Sequence, residues 1–193
     1  MNTDGIKIGF ALTGSFCTFS AVIPEIKKLC DSGAIVTPIM SEVAYSTDTR
    51  FGKAKGFVSE IEEITGNKVL KTISEVEPIG PKKLLDILII APCTGNTLSK
   101  IANAVTDSSV TMAAKAHLRN GKPLLIAVST NDGLSGSAKN IGVLLGRENM
   151  YFVPFGQDDH IGKPTSLVAD MGLIKEACEE ALDRKQIQPI LYK

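Results

Sequence analysis

The chain has 193 residues, 44% of them hydrophobic, and its 21 Lys and Arg residues balance 21 Asp and Glu residues. This length suits one domain with a substantial core, and the scattered, neutral charge excludes the basic footprint of a nucleic-acid-binding protein. No apolar run approaches the roughly 20 residues that span a bilayer, and no signal-peptide pattern precedes the first predicted strand. We therefore expect a single cytoplasmic domain over residues 1–193.

The four cysteines, Cys17, Cys30, Cys93 and Cys178, are too widely spaced for a zinc motif or a small disulfide scaffold. We expect reduced thiols, with Cys30 and Cys178 in the core. The sequence predicts no metal site.

Strand and helix patterns alternate through the first half of the chain. An apolar run at 6–12 predicts a strand, and apolar residues at helical spacing from Phe16 to Cys30 predict the first helix. Pro24 should kink this helix or mark the start of its main part. The next predicted elements are a strand at 34–40, a polar loop at 41–52, a helix at 54–64, a short strand at 69–73 and a turn at 78–81.

The alternation continues in the second half. The predicted elements are a strand at 86–91, helices at 97–105 and 109–120, a strand at 124–128, a helix at 138–145, a strand at 151–153 and a last helix. That last helix places Leu167, Met171, Ile174, Cys178 and Leu182 on one apolar face. Such alternation predicts an α/β fold, a three-layer α/β/α Rossmann-like sandwich with a mostly parallel sheet.

Two loops that follow predicted strands carry small polar residues. In the first, Gly14 lets the backbone approach an anion, and Ser15 adds a hydroxyl at a helix N-terminus. In the second, Pro92 should end the strand ladder, and Thr94, Asn96 and Thr97 can cap the next helix. Ligands of open α/β sheets bind outside the carboxyl ends of strands, although ordinary capping residues would look the same.

The sequence contains only a short candidate motif for binding a phosphate. Neither the G-x-G-x-x-G dinucleotide fingerprint nor a P-loop with Gly-Lys-Ser/Thr is present. This absence disfavours a nicotinamide dinucleotide or a nucleoside triphosphate on this chain. A monophosphate such as that of FMN needs only a shorter loop, such as the one that contains Gly14 and Ser15.

Residues 91–107, which read APCTGNTLSKIANAVTD, resemble the Ala-Pro-Ala-Ser/Thr-Ala-Asn-Thr segment of the FMN-binding flavoprotein family. That family includes the phosphopantothenoylcysteine and peptidyl-cysteine decarboxylases and the flavin prenyltransferases. The resemblance implies that Gly14, Ser15 and Ser41 hold the phosphate of FMN and that its ring lies against residues 92–97. The full set of implied cofactor-binding residues is Thr13, Gly14, Ser15, Ser41, Pro92, Thr94, Gly95, Asn96 and Thr97.

The chain departs from the decarboxylases of this family in two places. Residues 40–66 contain no histidine, and residues 127–132 replace a Pro-x-Met-Asn-x-x-Met substrate motif, of which only Asn131 remains. Decarboxylation of a cysteine substrate is therefore disfavoured. Of the two histidines, we expect His117 to be a surface or structural residue, and His160 is a candidate for proton transfer.

Four further stretches, at 46–52, 129–132, 154–159 and 188–191, resemble one component of a two-subunit synthase within this family. That enzyme forms an aromatic pyridine dicarboxylate in spore-forming bacteria. The resemblance implies dehydration and oxidation of a cyclic dicarboxylate in the mother cell, and a partner subunit that carries NAD(P). It also implies a homo-oligomer, a trimer or larger, that completes the flavin site across an interface.

A dicarboxylate substrate calls for a fixed cation, and arginine can bind a carboxylate through two hydrogen bonds. We choose Arg50 as the carboxylate clamp, Asn96 to orient substrate or flavin, and Asn131 as a second polar contact. Arg50 as a plain surface or interface residue stays open. Two other functions also stay open: an FMN-dependent decarboxylase or prenyltransferase, and a non-catalytic scaffold protein, which Gly95 in place of the usual alanine would suit.

Overall fold

A twisted sheet forms the centre of the computed structural model, which describes residues 3–192. Within those residues, the sheet has seven strands: β1 (Lys7–Leu12), β2 (Ile35–Met40), β3 (Ile87–Cys93), β4 (Leu124–Thr130), β5 (Met150–Phe152), β6 (Phe155–Gly156) and β7 (Leu167–Ala169). Six of them lie in the order β2-β1-β3-β4-β7-β6, and β5 also pairs with β4. Strands β1 to β5 pair in parallel, whereas β7 runs antiparallel to β4 and to β6.

Helices cover the sheet in two groups. The α-helices are α1 (Phe19–Asp31), α2 (Glu42–Ser46), α3 (Ala54–Thr65), α4 (Ile73–Val76), α5 (Gly95–Ala102), α6 (Ser109–Leu118), α7 (Ala138–Leu145) and α8 (Ile174–Leu182). In one group, α1 packs against α3 and α8. In the other, α5 packs against α6 and α7, and α6 also packs against α4. The predicted three-layer α/β/α fold with a mostly parallel sheet is confirmed.

Burial explains why the central strands were readable from sequence. All seven residues of β3 and six of the seven residues of β4 are buried, as expected for strands covered by helices on both faces. Helix α3 ends at Thr65, one residue beyond the predicted end, because Gly66 adopts a left-handed conformation with φ 65°. Helix α7 has the predicted bounds.

Strand β3 does not end before Pro92, contrary to the prediction. It continues to Cys93, which pairs with Val128 of β4, and its register shifts between Ile90 and Cys93. Proline is tolerated within a sheet at such irregularities because the ladder is already interrupted there.

The expectation of one long final helix was wrong. Leu167 belongs to β7, and α8 begins only at Ile174, after a short 3₁₀ turn at Met171–Leu173. The apolar spacing that suggested a helix arises because β7 and α8 both contribute buried apolar residues to the core. Strands of two or three residues are too short to show their own periodicity.

Three smaller expectations also differ from the structure. Helix α2 occupies part of the predicted loop at 41–52. The predicted strand at 69–73 is reduced to one bridge between Ile39 and Leu70, after which Thr72 and Glu75 form a capping box that starts α4. Pro24 lies inside α1, which starts at Phe19, so it does not mark the helix start.

The four cysteines are free thiols. Cys93 and Cys178 are fully buried, and burial raises the pKa of both thiols, that of Cys178 to about 12. Cys30 is only half-buried at the edge of the core, less than expected, and Cys17 is exposed. Within residues 3–192, no helix is both long and apolar enough to cross a membrane.

Candidate functional site

The carboxyl ends of the four central parallel strands meet at one edge of the sheet. Thr13 follows β1, Ser41 follows β2, Thr94 follows β3, and Thr130 is the last residue of β4. Parallel pairing places these four hydroxyl residues on the same edge. This is the edge at which open α/β sheets bind their ligands.

Thr13 joins the loops after β1 and β3. Its buried hydroxyl donates to the Pro92 carbonyl at 2.7 Å and accepts from the Thr94 backbone N–H at 3.0 Å. The Thr13 backbone N–H also donates to the Pro92 carbonyl, at 3.3 Å. Both loops are therefore held in one fixed arrangement before any ligand arrives.

A cluster of three hydroxyls lies beside this joint. The Ser15 and Ser129 hydroxyl oxygens are 2.8 Å apart, and Thr18 Oγ1 donates to Ser15 Oγ at 2.9 Å and lies 3.2 Å from Ser129 Oγ. Because hydroxyls both donate and accept, such a cluster can redirect its protons toward an anionic ligand.

The hydroxyls that follow the strands differ in their local role. Ser41 caps α2 by accepting from the Ala44 N–H, and Thr94 caps α5 by accepting from the Thr97 N–H. The Ser15 side chain makes no capping hydrogen bond. Helix capping thus accounts for Ser41 and Thr94 but not for Ser15.

Two of the cavities on this edge share Gly14 and Thr94. The first, which we call the Ser41 cavity, has a volume of about 480 Å³. It is lined by Thr13, Gly14, Ser41, Glu42, Val43, Thr94, Asn96, Thr97, Lys100, Asp107 and Ser108. Its lysine, Lys100, is already paired with Asp107 at 2.9 Å.

The second, which we call the Lys163 cavity, has a volume of about 460 Å³. It is lined by Gly14, Ser15, Cys17, Thr18, Thr94, Ser129, Thr130, Asn131, Asp158, Lys163, Ser166 and Val168. The hydroxyl cluster forms part of its wall. Each cavity is of the size that small-molecule sites usually have.

A hydrogen-bonded carboxylate packs directly beneath the start of α5. Asp132 Oδ1 accepts from the hydroxyls of Thr130, at 2.5 Å, and Ser137, at 2.8 Å. The bond from Thr130, together with that from Ser137, lowers the pKa of Asp132 although partial burial raises it. A Cβ added to Gly95 would lie 2.5–2.7 Å from the oxygens of these three side chains. Gly95 therefore has a local steric reason and gives no support to the scaffold alternative.

The loop between β6 and β7, residues 157–166, returns over the Lys163 cavity because β7 runs antiparallel to β4. Its base is tied to the loop after β4. Thr165 Oγ1 donates to the Asn131 carbonyl at 2.7 Å, and the Leu134 N–H donates to the Thr165 carbonyl at 2.9 Å. The loop contributes Asp158, Lys163 and Ser166 to the cavity wall.

The structure brings most of the sequence-predicted site residues together. Thr13, Gly14, Ser41, Thr94, Asn96 and Thr97 line the Ser41 cavity, while Gly14, Ser15, Thr94 and Asn131 line the Lys163 cavity. Pro92 and Gly95 are buried beneath the loop and line neither. They shape the site through the backbone.

Arg50 lies apart from both cavities. It occupies the tip of a tight turn between Thr49 and Gly52, is exposed, and its guanidinium stacks on the Phe51 ring at 4.8 Å. Within one chain, Arg50 therefore does not line the predicted site. The predicted role of Arg50 as a carboxylate clamp would therefore require a site shared with a neighbouring protomer.

The two histidines also lie outside the cavity walls. His117 is buried, and its Nε2–H donates to the Pro123 carbonyl at 2.9 Å, so it is the structural residue that the sequence suggested. His160 is exposed in the loop at 157–166.

Sequence reasoning missed Thr18, Ser129, Lys163 and Ser166. Ser129 could have been predicted, because it lies in a polar stretch at the end of a predicted strand. The two loop residues had no such signal, because nothing local shows that residues 157–166 fold back over the site.

The likeness to known proteins agrees with this geometry. A protein-family model described as Flavoprotein matches residues 1–172. The chain belongs to the flavoprotein family. Among family members, it is 49% identical over 189 residues to the B subunit of dipicolinate synthase from Bacillus subtilis (strain 168), a match that covers 98% of this chain and 94% of that one.

Solved structures give the same relationship. The crystal structure of the dipicolinate synthase B subunit from Bacillus halodurans C superposes with a TM-score of 0.92 at 47% identity, covering 100% of this chain and 99% of that one. The FMN-dependent cysteine decarboxylase SpaF superposes with a TM-score of 0.67 at 18% identity, covering 92% and 95%. This second likeness shows the flavoprotein fold alone.

Proposed function

We propose that this chain is the flavin-binding B subunit of a dipicolinate synthase. With a partner A subunit that carries NAD(P), it dehydrates and oxidises hydroxytetrahydrodipicolinate to dipicolinate in the mother-cell cytoplasm of a sporulating bacterium. The observation that carries the proposal is the 49% identity to the B subunit of dipicolinate synthase over 98% of the chain. The cavity pair at the carboxyl edge of the sheet supports a small polar ligand.

The proposed reaction removes one water and two electrons from the substrate ring. Loss of water requires removal of a proton from the carbon next to the imine, and the resulting dihydropyridine then loses a hydride to the acceptor and a proton to solvent to become the aromatic pyridine. Bound FMN supplies a two-electron acceptor, as does the nicotinamide of the partner subunit. This chain's side chains bind and orient the substrate ring between the two cavities, and Asn96 and Asn131 are its polar contacts.

The residues at this edge fit the phosphate of FMN. Gly14 lies between the two cavities and lines both, so its lack of a side chain leaves backbone accessible there. Ser15 and Ser41 stand on either side of it, and the Ser15 hydroxyl is not used for capping. Under this proposal Gly14, Ser15 and Ser41 hold the phosphate, and the flavin ring lies against residues 92–97.

The flavin proposal is tested by titrating purified protein with FMN and following the visible absorbance and flavin fluorescence. We expect a yellow complex, and we expect Ser15→Ala to weaken FMN binding by about tenfold through loss of a hydrogen bond to a charged group. Ser59→Ala, an exposed serine on α3, is the matched control and should bind FMN normally. Colourless protein that takes up no FMN would contradict the flavin proposal.

The reaction itself is tested by mixing the protein with the A subunit, substrate and nicotinamide, and by following the ultraviolet absorbance of the aromatic product. Product should form only when both subunits are present. Carbon dioxide release from a cysteine substrate would instead favour the decarboxylase alternative.

We further propose a homo-oligomer, a trimer or larger, that completes the flavin site across an interface. A structural neighbour at 19% identity is a dodecameric FMN-dependent decarboxylase from Escherichia coli O157:H7. Light scattering at micromolar concentration tests the proposal, since a monomer with FMN still bound would exclude a shared site.

A further inference from the structure

The loop at 157–166 places a lysine and a carboxylate side by side in the Lys163 cavity. Lys163 Nζ lies 3.3 Å from Asp158 Oδ2, and the two side chains remain 54% and 31% exposed. Among the described residues, these are the only Lys, Arg, Asp or Glu side chains in the wall of this cavity. The remaining polar wall consists of neutral hydroxyls and the Asn131 amide, so an entering anion finds its cation in Lys163.

Ser166 lies in the same wall with an unused hydroxyl. Its side chain is 1% exposed, and Ser166 Oγ has no hydrogen-bond partner among residues 3–192. Ser166 and Lys163 are neighbours of Asp158, and although burial raises the pKa of that carboxyl, the two residues together lower it. A buried hydroxyl without a partner is unfavourable, and a ligand oxygen at this wall would relieve it.

The base of the loop is held firmly while Lys163 extends into the open cavity. Gln157 Nε2 donates to the Pro164 carbonyl at 2.8 Å, and the Lys163 and Ser166 backbone N–H groups donate within the loop at 2.8 and 3.0 Å. The Lys163 backbone is therefore fixed, whereas the ion pair of its ammonium is long and partly exposed. Such an ion pair is weak and can be exchanged for a ligand at little cost.

We propose that the Lys163 cavity binds a ring carboxylate of a cyclic dicarboxylate, with the Lys163 ammonium as its charged partner and Ser166 Oγ as its hydroxyl donor. This inference rests on the proposed function for its ligand class and deepens it. It assigns carboxylate recognition to a residue of the β6–β7 loop. On entry, the ligand carboxylate replaces Asp158 as the partner of Lys163.

An anionic oxygen at this wall has a second possible source, the phosphate of FMN. The proposed phosphate partners are divided between the cavities, because Ser15 lines this one, Ser41 lines the other and Gly14 lines both. The charge of the wall favours the carboxylate, because Asp158 would repel a phosphate dianion more strongly than a carboxylate with one charge.

Calorimetric titration with pyridine-2,6-dicarboxylate tests the proposal on the full-length protein, with FMN titration as a parallel measurement. We expect Lys163→Gln to weaken dicarboxylate binding by tenfold or more and to leave FMN binding unchanged, because it removes a charged hydrogen bond. Lys139→Gln, at an exposed lysine of α7, is the matched control and should have no effect.

Two further variants should change dicarboxylate binding in opposite directions. Ser166→Ala should weaken dicarboxylate binding by several-fold while the thermal midpoint stays the same or rises, since the hydroxyl has no partner within residues 3–192. Asp158→Asn should strengthen binding, because it removes the anion that competes for Lys163. A hydroxyl with a purely structural role would lower the thermal midpoint when removed.

Three outcomes would overturn the proposal. They are unchanged dicarboxylate binding by Lys163→Gln, loss of FMN binding in parallel with dicarboxylate binding, and no dicarboxylate binding by the wild-type protein at millimolar concentration. The second outcome would assign the wall to the flavin phosphate. Failure of the wild-type protein to bind FMN would defeat the flavin proposal but leave the Lys163 result interpretable, since the two titrations are separate.

Discussion

The two edges of the sheet both carry polar side chains but use them differently. At the amino edge, Lys122 Nζ donates to the Leu85 carbonyl at 2.6 Å and to Asp86 Oδ1 at 3.0 Å, and Asp86 Oδ2 accepts from the Lys7 N–H at 3.0 Å. Buried His117 donates to the Pro123 carbonyl. At the carboxyl edge, hydroxyls, Asn131 and Lys163 line open cavities, and the Ser166 hydroxyl has no partner within residues 3–192.

This difference separates stability from ligand binding. Groups at the amino edge join strands and helices to one another, so their removal should lower the free energy of unfolding. At the carboxyl edge, the buried residues Thr13 and Gly95 and the partly buried Asp132 fix the loops, and the groups in front of them are available to a ligand. Variants at the two edges should therefore change different measurements.

The largest effect is expected at His117, at the amino edge. Burial lowers the pKa of His117 to about 4, from an ordinary value of 6.5. Between these pH values the unfolded chain binds a proton that the folded chain excludes, so stability is lost as the pH falls from 6.5 to 4. The loss attributable to His117 should be about 3 kcal/mol.

Urea denaturation at pH 7 and at pH 4.5 checks this prediction in the wild type and in His117→Gln, whose amide can still donate to the Pro123 carbonyl. The variant should lose clearly less stability between the two pH values than the wild type does. An identical pH dependence would show that the carboxylates alone account for acid unfolding.

A smaller effect is expected from Gly95→Ala, at the carboxyl edge. The new Cβ would lie 2.5 Å from Ser137 Oγ and 2.7 Å from Asp132 Oδ1, so the hydrogen-bonded group must move apart. We expect a loss of about 2 kcal/mol in the free energy of unfolding, typical of overpacking a buried position.

Gly142→Ala in α7 is the matched control for this substitution. A Cβ at Gly142 meets nothing within 4 Å, so the variant should gain about 0.5–1 kcal/mol from the better helix former. If Gly95→Ala also gained stability, the side chains around Asp132 would not restrict the space at Gly95.

The smallest effect is expected from Arg50→Ala. Its guanidinium contacts the Phe51 ring on an exposed turn, so the free energy of unfolding should change by less than about 0.5 kcal/mol. Because Arg50 lines neither cavity, we expect dicarboxylate binding to change less than twofold, in contrast to Lys163→Gln. A loss of about 2 kcal/mol in transition-state binding, measured with both subunits, would place Arg50 in the site of a neighbouring protomer.

The sequence by itself determined the central part of the fold. Strands β1 to β4 are predominantly apolar segments, and α3 and α7 carry a helical period with clear ends, so the local pattern was sufficient to predict them. The loops with Gly14 and Thr94 could also be assigned to the ligand edge, because parallel strands bring their carboxyl ends together. Gly95 could be noticed as unusual but not explained.

Only the tertiary structure decided the rest of the site. Strands β6 and β7 have two and three residues, too few for a periodic signal, and their antiparallel pairing carries residues 157–166 back over the sheet edge. That return places Lys163 and Ser166 in one cavity wall with Ser15, which is far from them in the chain. Contacts between residues so distant depend on how the whole sheet is assembled, and no local pattern of residues encodes them.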